Sequence, residues 1–326
     1  MFAIPAYKTL CRTLATGFMF ITTMAIAQPY PNKPIRLIVP FAAGSATDAI
    51  GRTFGQKMGE ILGQPVIVEN KAGAVGSIGA DAVAKSAPDG YTLLLGTNSS
   101  ISVVRLLIKN VPYDPEKDFA PISLVGELPQ VVVVNNDLPV KTLAELIAYA
   151  KKNPGKINYA SPNSVGRFSA EMLATMSGVK FFGVPYKSSP QALTDLISGE
   201  VQLFAADPGL AAPQMKAGRL RALAITGPKR STVFPDLPTV AEAAQLPGYE
   251  LLGLFGIYAP AGTNNEIILK LNSAVIKAAQ EPEVRARMKA LSMEVQTGTP
   301  EELALRMRQD AQRWGKVAKE VGIQPE

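Results

Sequence analysis

The chain has no histidine in 326 residues, and its single cysteine is Cys11. That removes Ser-His-Asp and Cys-His activation of a nucleophile, and it removes histidine ligands for zinc, copper or iron. No G-x-S-x-G elbow, G-x-x-x-x-G-K-[ST] phosphate loop or G-x-G dinucleotide fingerprint occurs. One S-x-x-K match, Ser177-Gly178-Val179-Lys180, follows a helical pattern that Gly178 is placed to cap. Chemistry on carboxylates or on a lone lysine such as Lys187 remains open. What the chain does hold is hydrogen-bond donors in loops. "FAAGSATD" from Phe41, "NKAGAVGS" from Asn70, "TNSS" from Thr97 and "SPNSVGR" from Ser161 each lead into a helical pattern. A helix N-terminus presents free backbone N–H groups at a positive dipole end, worth about 0.3–1 kcal/mol toward an adjacent anion. Small residues let the ligand approach that backbone closely. The same Ser, Thr and Asn residues are also ordinary helix caps, so no single loop decides. Asp48 would repel an anion at its helix start; it could instead hold the loop by accepting backbone N–H bonds, or face a ligand amine. Arg167 and Lys187 are the cations nearest the later loops, and a guanidinium pairs a carboxylate bidentately; each reads equally as a solvated surface charge. Phe41, Phe168 and Tyr186 could pack an apolar ligand body or belong to the core.

The elements that must hold these loops alternate. Short apolar runs at Ile35–Phe41, Val66–Glu69, Thr92–Thr97, Gln130–Val134, Ile157–Ala160, Phe181–Tyr186, Val201–Ala205 and Arg221–Thr226 read as strands. Amphipathic segments between them, such as Asp48–Leu62, Leu143–Lys152 and Arg167–Ser177, read as helices. This alternation predicts an α/β protein with parallel sheets and helices on both faces. The rhythm breaks near Gly126–Gln130 and again near Leu246–Glu250, and after Gly262 the chain turns mainly helical, with Thr299 and Pro300 opening a long last helix. The breaks predict a discontinuous first lobe, residues 28–127 and 252–326, around a second lobe of residues 128–251. Two lobes joined by two crossings make a hinge, and ligands of open α/β sheets sit beyond the carboxyl ends of the strands.

Residues 1–27 stand apart. Lys8 and Arg12 precede an apolar stretch from Leu14 to Ile26, and Ala25-Ile26-Ala27 suits signal peptidase. A cleavable signal peptide is expected, with cleavage after Ala27 and a periplasmic mature protein. The remainder is long enough for two domains of about 150 residues each, and without a cysteine its core must come from packing. The net charge of +6 is mild, and no basic tract with interleaved aromatics suggests nucleic acid.

Taken in order, the motifs "PIRLIVPFAAGSATD" from Pro34, "LGQPVIVENKAGAVGSIGA" from Leu62, "APDGYTLLLGT" from Ala87, "VPYDPEKDFAPI" from Val111, "INYASP" from Ile157, "VPYKSSPQALTDLISGEV" from Val184, "LRALAITGPKRSTVFPDLPTVAEA" from Leu220 and "APAGT" from Ala259 carry a resemblance over essentially the whole mature chain. The chain resembles the periplasmic solute receptors of tripartite tricarboxylate transporters, the Bug proteins. The resemblance implies a two-lobed venus-flytrap fold of type II kind, with two chain crossings. It implies capture of a small carboxylate and delivery to a membrane permease, with no catalysis, no metal and no cofactor. In relatives the loop after the first strand and the "YAS" loop bind carboxylate oxygens. Carried over by position, this points to Phe41, Ala43, Ser45 and Thr47, and to Ser161, Asn163 and Ser164. Gly76, Ser77 and Asn98 follow as neighbours. Two departures stand out: Gly44-Ser45 where Gly-Gly is common, and Arg167 where histidine is frequent. Arg167, with Lys187 nearby, would suit a second carboxylate, so a dicarboxylate is expected, aromatic ones such as phthalate isomers included. The alternatives are a ligand sensor docking on a histidine kinase and a histidine-independent envelope enzyme. A monomer is expected, since the ligand must be handed over.

Overall fold

The computed structural model describes residues 30–325. The signal peptide, Cys11 and the cleavage site expected after Ala27 lie outside the described residues. The chain opens with β1 (Ile35–Val39), α1 (Ala46–Leu62), β2 (Val66–Asn70), a 3-10 turn (Ala74–Gly76), α2 (Ser77–Ala84), β3 (Thr92–Thr97), α3 (Val104–Leu107) and β4 (Phe119–Pro129). The middle runs through β5 (Val131–Asn135), α4 (Leu143–Lys152), β6 (Asn158–Ser161), α5 (Ser164–Ser177), β7 (Phe182–Pro185), α6 (Ser189–Ser198), β8 (Leu203–Ala206), α7 (Pro208–Lys216), β9 (Leu220–Ile225) and α8 (Val240–Ala244). The chain ends with β10 (Leu252–Pro260), α9 (Asn265–Gln280), α10 (Pro282–Ala290), β11 (Glu294–Val295) and α11 (Pro300–Glu320).

Two sheets result, ordered β11-β4-β10-β3-β1-β2 and β7-β6-β8-β5-β9. Leaving out the two-residue β11, both read second-first-third-intruder-fourth, where the intruder is the strand that has just crossed from the other lobe. The intruders β10 and β5 run antiparallel to both of their neighbours, whereas β1–β2, β1–β3, β6–β7 and β6–β8 are parallel. The sheets are therefore mixed, which corrects the expectation of parallel sheets. A strand arriving from the other lobe enters from the opposite end, so its direction is inverted. Helices do cover both faces. Ile35, Leu37 and Val39 share one core with α1 and α9, while Ile38 and Leu94 face the other core with Ala80 and Leu303. Val132 and Val134 of β5 likewise face one core and Val131 and Val133 another. Such two-sided burial is what a continuous Val/Ile/Leu run supports.

β4 and β5 are separated by Gln130 alone. Gln130 N–H donates to Thr226 Oγ1 at 2.8 Å, Thr226 Oγ1 donates to Leu251 O at 2.7 Å, and Thr226 N–H returns a 2.9 Å bond to Gln130 O. One buried threonine thus ties the outgoing and returning crossings together. α11 adds a third link. Leu303 and Met307 near its start pack with the first sheet, whereas Trp314 and Ala318 enter the second lobe's core. There Trp314 meets Phe168 of α5 at a centroid distance of 4.7 Å. The last helix of the segment expected to return to the first lobe therefore lies across both.

Candidate functional site

The loop after β1 is held rigidly. Ser45 caps α1 through Asp48 N–H at 3.2 Å, and Gly44 N–H donates back to Asp48 Oδ2 at 3.0 Å. Asn70 Nδ2, at the end of the adjacent strand, donates both to Phe41 O at 3.0 Å and to Asp48 Oδ1 at 2.9 Å. Arg52 also pairs with Asp48. Burial pushes the Asp48 carboxyl up, but Arg52, Gly44 N–H and Asn70 outweigh it and hold the group below the usual aspartate range. Of the three roles the sequence left open for Asp48, holding the loop is the one its bonds describe.

A cleft lies where the carboxyl ends of both sheets face each other. From the first lobe it is lined by Phe41, Ser45, Thr47 and the Thr97–Ser99 stretch, backed by Gly253 and Phe255 of β10. Asn163, Val165, Ser189 and Asp207 line it from the second lobe, and Gln130 lies at the crossing. Its free space is about 30 Å³, room for two or three water-sized groups in this conformation. The walls touch: Ser99 Oγ is 2.7 Å from Ser164 Oγ and accepts from Ser164 N–H at 3.1 Å, and Ala46 N–H reaches Asp207 Oδ2 at 3.4 Å. Larger hollows, one of about 250 Å³ beside α11 and one of about 340 Å³ beside the crossings, share no lining residue with this cleft.

Four helices begin at the cleft, α1 from one lobe and α5, α6 and α7 from the other, and α1 and α5 are the two that bring unpaired donors to it from opposite lobes. Most of the first-turn donors of α1 and α5 are used. In α1, Asp48 N–H goes to Ser45 Oγ and Ala49 N–H to Ser45 O; in α5, Ser164 N–H goes to Ser99 and Gly166 N–H to Asn163 Oδ1 at 2.9 Å. Among the described residues, neither Thr47 N–H nor Val165 N–H has a hydrogen-bond partner. Both belong to cleft-lining residues, one per lobe. This is an acceptor-seeking arrangement of two backbone donors among hydroxyl and amide side chains, suited to a carboxylate.

Phe41, Ser45, Thr47, Asn98 and Asn163 are thus brought together at the cleft. Two of them are structural as well. Asn163 caps α5, and Asn98 accepts from Leu254 N–H at 2.5 Å while donating to Asp310 Oδ2 at 2.7 Å, tying the loop after β3 to β10 and α11. The other residues singled out from the sequence are not in the lining. Ala43 is exposed and Ser161 ends β6 half-buried. Ser77 is buried at the start of α2. Gly76, at φ +92°, leaves space that a Cβ would fill at 3.3 Å from both the Phe41 ring and Ser100, so it seats Phe41. Ser164 acts on Ser99 across the cleft. Lys187 is exposed and Arg167 half-buried, both outside the lining. Thr97, Ser99, Gln130, Val165, Ser189, Asp207, Gly253 and Phe255 were not singled out from the sequence. Thr97 and Ser99 lay within a loop already marked. Asp207 carried only the signal of an Asp-Pro helix start.

BugT of Bordetella pertussis is 38% identical over 319 residues, covering 95% of this chain and 98% of BugT. A Rhodopseudomonas palustris protein, Rpa4515, solved with adipate, superposes with a TM-score of 0.88 at 35% identity, over 91% of this chain and 100% of that one. MatC of the same organism, solved with bound malate, superposes at 0.83 and 33% identity, over 88% and 99%. The fold is thus that of a two-lobed periplasmic binding protein, and residues 50–323 match the tripartite tricarboxylate transporter family receptor, TctC, the family to which the chain belongs.

Proposed function

We propose that this protein is an extracytoplasmic receptor that captures a small carboxylate between its lobes and delivers it to a membrane permease of the tripartite tricarboxylate type. The observation that carries this reading is the pair of unpaired helix-start donors, Thr47 N–H and Val165 N–H, one on each wall of one cleft. A carboxylate has only acceptors and two oxygens, so it satisfies a donor from each lobe and couples its own binding to closure. The adipate and malate held by relatives support the ligand class. Periplasmic placement follows from the leader expected at residues 1–27 and from the family. Among the described residues no helix is long and apolar enough to cross a membrane.

The experiment is a thermal-shift screen of the purified protein against mono-, di- and tricarboxylates, acidic amino acids and phosphate esters. A ligand at one hundred times its Kd stabilises the folded state by about 2.7 kcal/mol, which raises the melting midpoint by several degrees. A shift from carboxylates alone is the expected result. Shifts from phosphate esters alone, or none from a folded and ligand-stripped protein, would remove the carboxylate reading.

A further inference from the structure

Resting on the carboxylate reading, we infer that the ligand carries an ammonium group beside its carboxylate, and that Asp207 and Gln130 form the subsite that receives it. Asp207 is the one charged side chain among the described residues lining the cleft. It stands at the N-cap position of α7 yet makes no capping bond to its own helix. Its carboxylate, 7% exposed, accepts instead from Ala46 N–H at 3.4 Å, and the neutral side chains of Gln130 and Ser189 are the other polar groups that act on it. All three groups are neutral, so no counter-charge balances the carboxylate. Burial accordingly pushes the Asp207 carboxyl above the usual range, with Gln130, Ala46 N–H and Ser189 offsetting this in part.

Gln130 supplies the second, independent observation. It is 3% exposed, lines the same cleft, and its Oε1 has no hydrogen-bond partner. An orphaned buried acceptor beside a buried carboxylate that has no counter-charge suits a cation with several donors. An ammonium offers three. A second carboxylate offers none and places like charges together in a poorly solvated site. Arg167, expected from the sequence to receive such a second carboxylate, is outside the lining. A zwitterion thus offers its carboxylate to Thr47 and Val165 N–H and its ammonium to Asp207 and Gln130 within the one cleft.

The test is calorimetric titration of the purified protein with four acids on one carbon skeleton: butyrate, succinate, 2-aminobutyrate and 4-aminobutyrate. At least one aminobutyrate should bind tenfold or more tightly than succinate and butyrate. Asp207→Asn, with folding checked by circular dichroism, should reduce that preference at least tenfold, and Gln130→Met should reduce it less. Tighter binding of succinate than of both aminobutyrates overturns the inference and leaves the carboxylate reading standing. Equal tightening of all four acids in Asp207→Asn also overturns it, by showing that Asp207 stands in for a ligand anion at α1. No binding by any carboxylate, here or in the wider thermal screen, overturns both.

Discussion

At α1 and α7 two aspartates with opposite environments predict opposite pH behaviour. Asp48 lies below its ordinary range, so the stability it contributes is present above pH about 4 and is lost as pH falls through its folded value. Asp207 lies above its ordinary range. Between about pH 4 and its folded value the native state holds the extra proton, so stability falls as pH rises through that window. Asp207→Asn should therefore melt higher than the parent at pH 7, with the gain shrinking toward pH 4. Buried Asp310, also raised, is common to both proteins and cancels in the difference. A gain that does not depend on pH would show that the Asp207 carboxyl titrates in the folded protein as it does in the unfolded chain. Asn70 gives a second prediction. Asn70→Ala removes two bonds that fix the loop at Phe41 and Asp48. It should weaken carboxylate binding about tenfold in calorimetry, for about 1–2 kcal/mol of stability in urea titrations. The donor loops were legible because Ser45 and Asn163 are capping residues ahead of helical patterns. Asp207 was not, because charge complementarity argues against placing a carboxylate in a carboxylate site. Gln130 was hidden by its place at the start of an apolar run.

Among the elements, α11 is the one whose role depends most on packing partners remote in sequence. Phe168→Ala and Trp314→Ala should each cost about 3–5 kcal/mol in urea unfolding. Because the rings touch, the double variant should lose less than the sum; strict additivity would show that the contact carries no energy of its own. Trp314 is the only tryptophan, and its Nε1 donates to Asp310 at 2.8 Å, which in turn receives Asn98 of the cleft loop. Helices such as Leu143–Lys152 were readable to the residue from periodicity and caps. β4 was not, since Pro121, Gly126 and Pro129 interrupt its pattern, and β10 and Glu294–Val295 complete it from far along the chain. The directions of β5 and β10 were likewise unreadable. Strand direction is fixed by which lobe the chain arrives from, and no local residue encodes it.

For the whole molecule, the Ser99–Ser164 contact is a latch between walls that belong to different sheets. Ser99→Ala deletes two bonds worth about 1 kcal/mol each without emptying either core. It should shift the ligand-free protein toward wider opening, read as a larger radius of gyration in solution scattering, and weaken binding several-fold. An unchanged radius with unchanged affinity would mean that the latch does not hold the lobes together. The interleaved strand order also sets a timetable. β10 lies between β3 and β4, so the first sheet has a gap at its centre until residue 260 has been made. The second sheet needs nothing beyond β9, which ends at Ile225. A chain emerging from its N-terminus must therefore have all the strands of its second sheet before it has all those of the first. Such long-range closure folds slowly, so the first sheet stays open, and its strand edges unpaired, for most of the time the chain takes to be made.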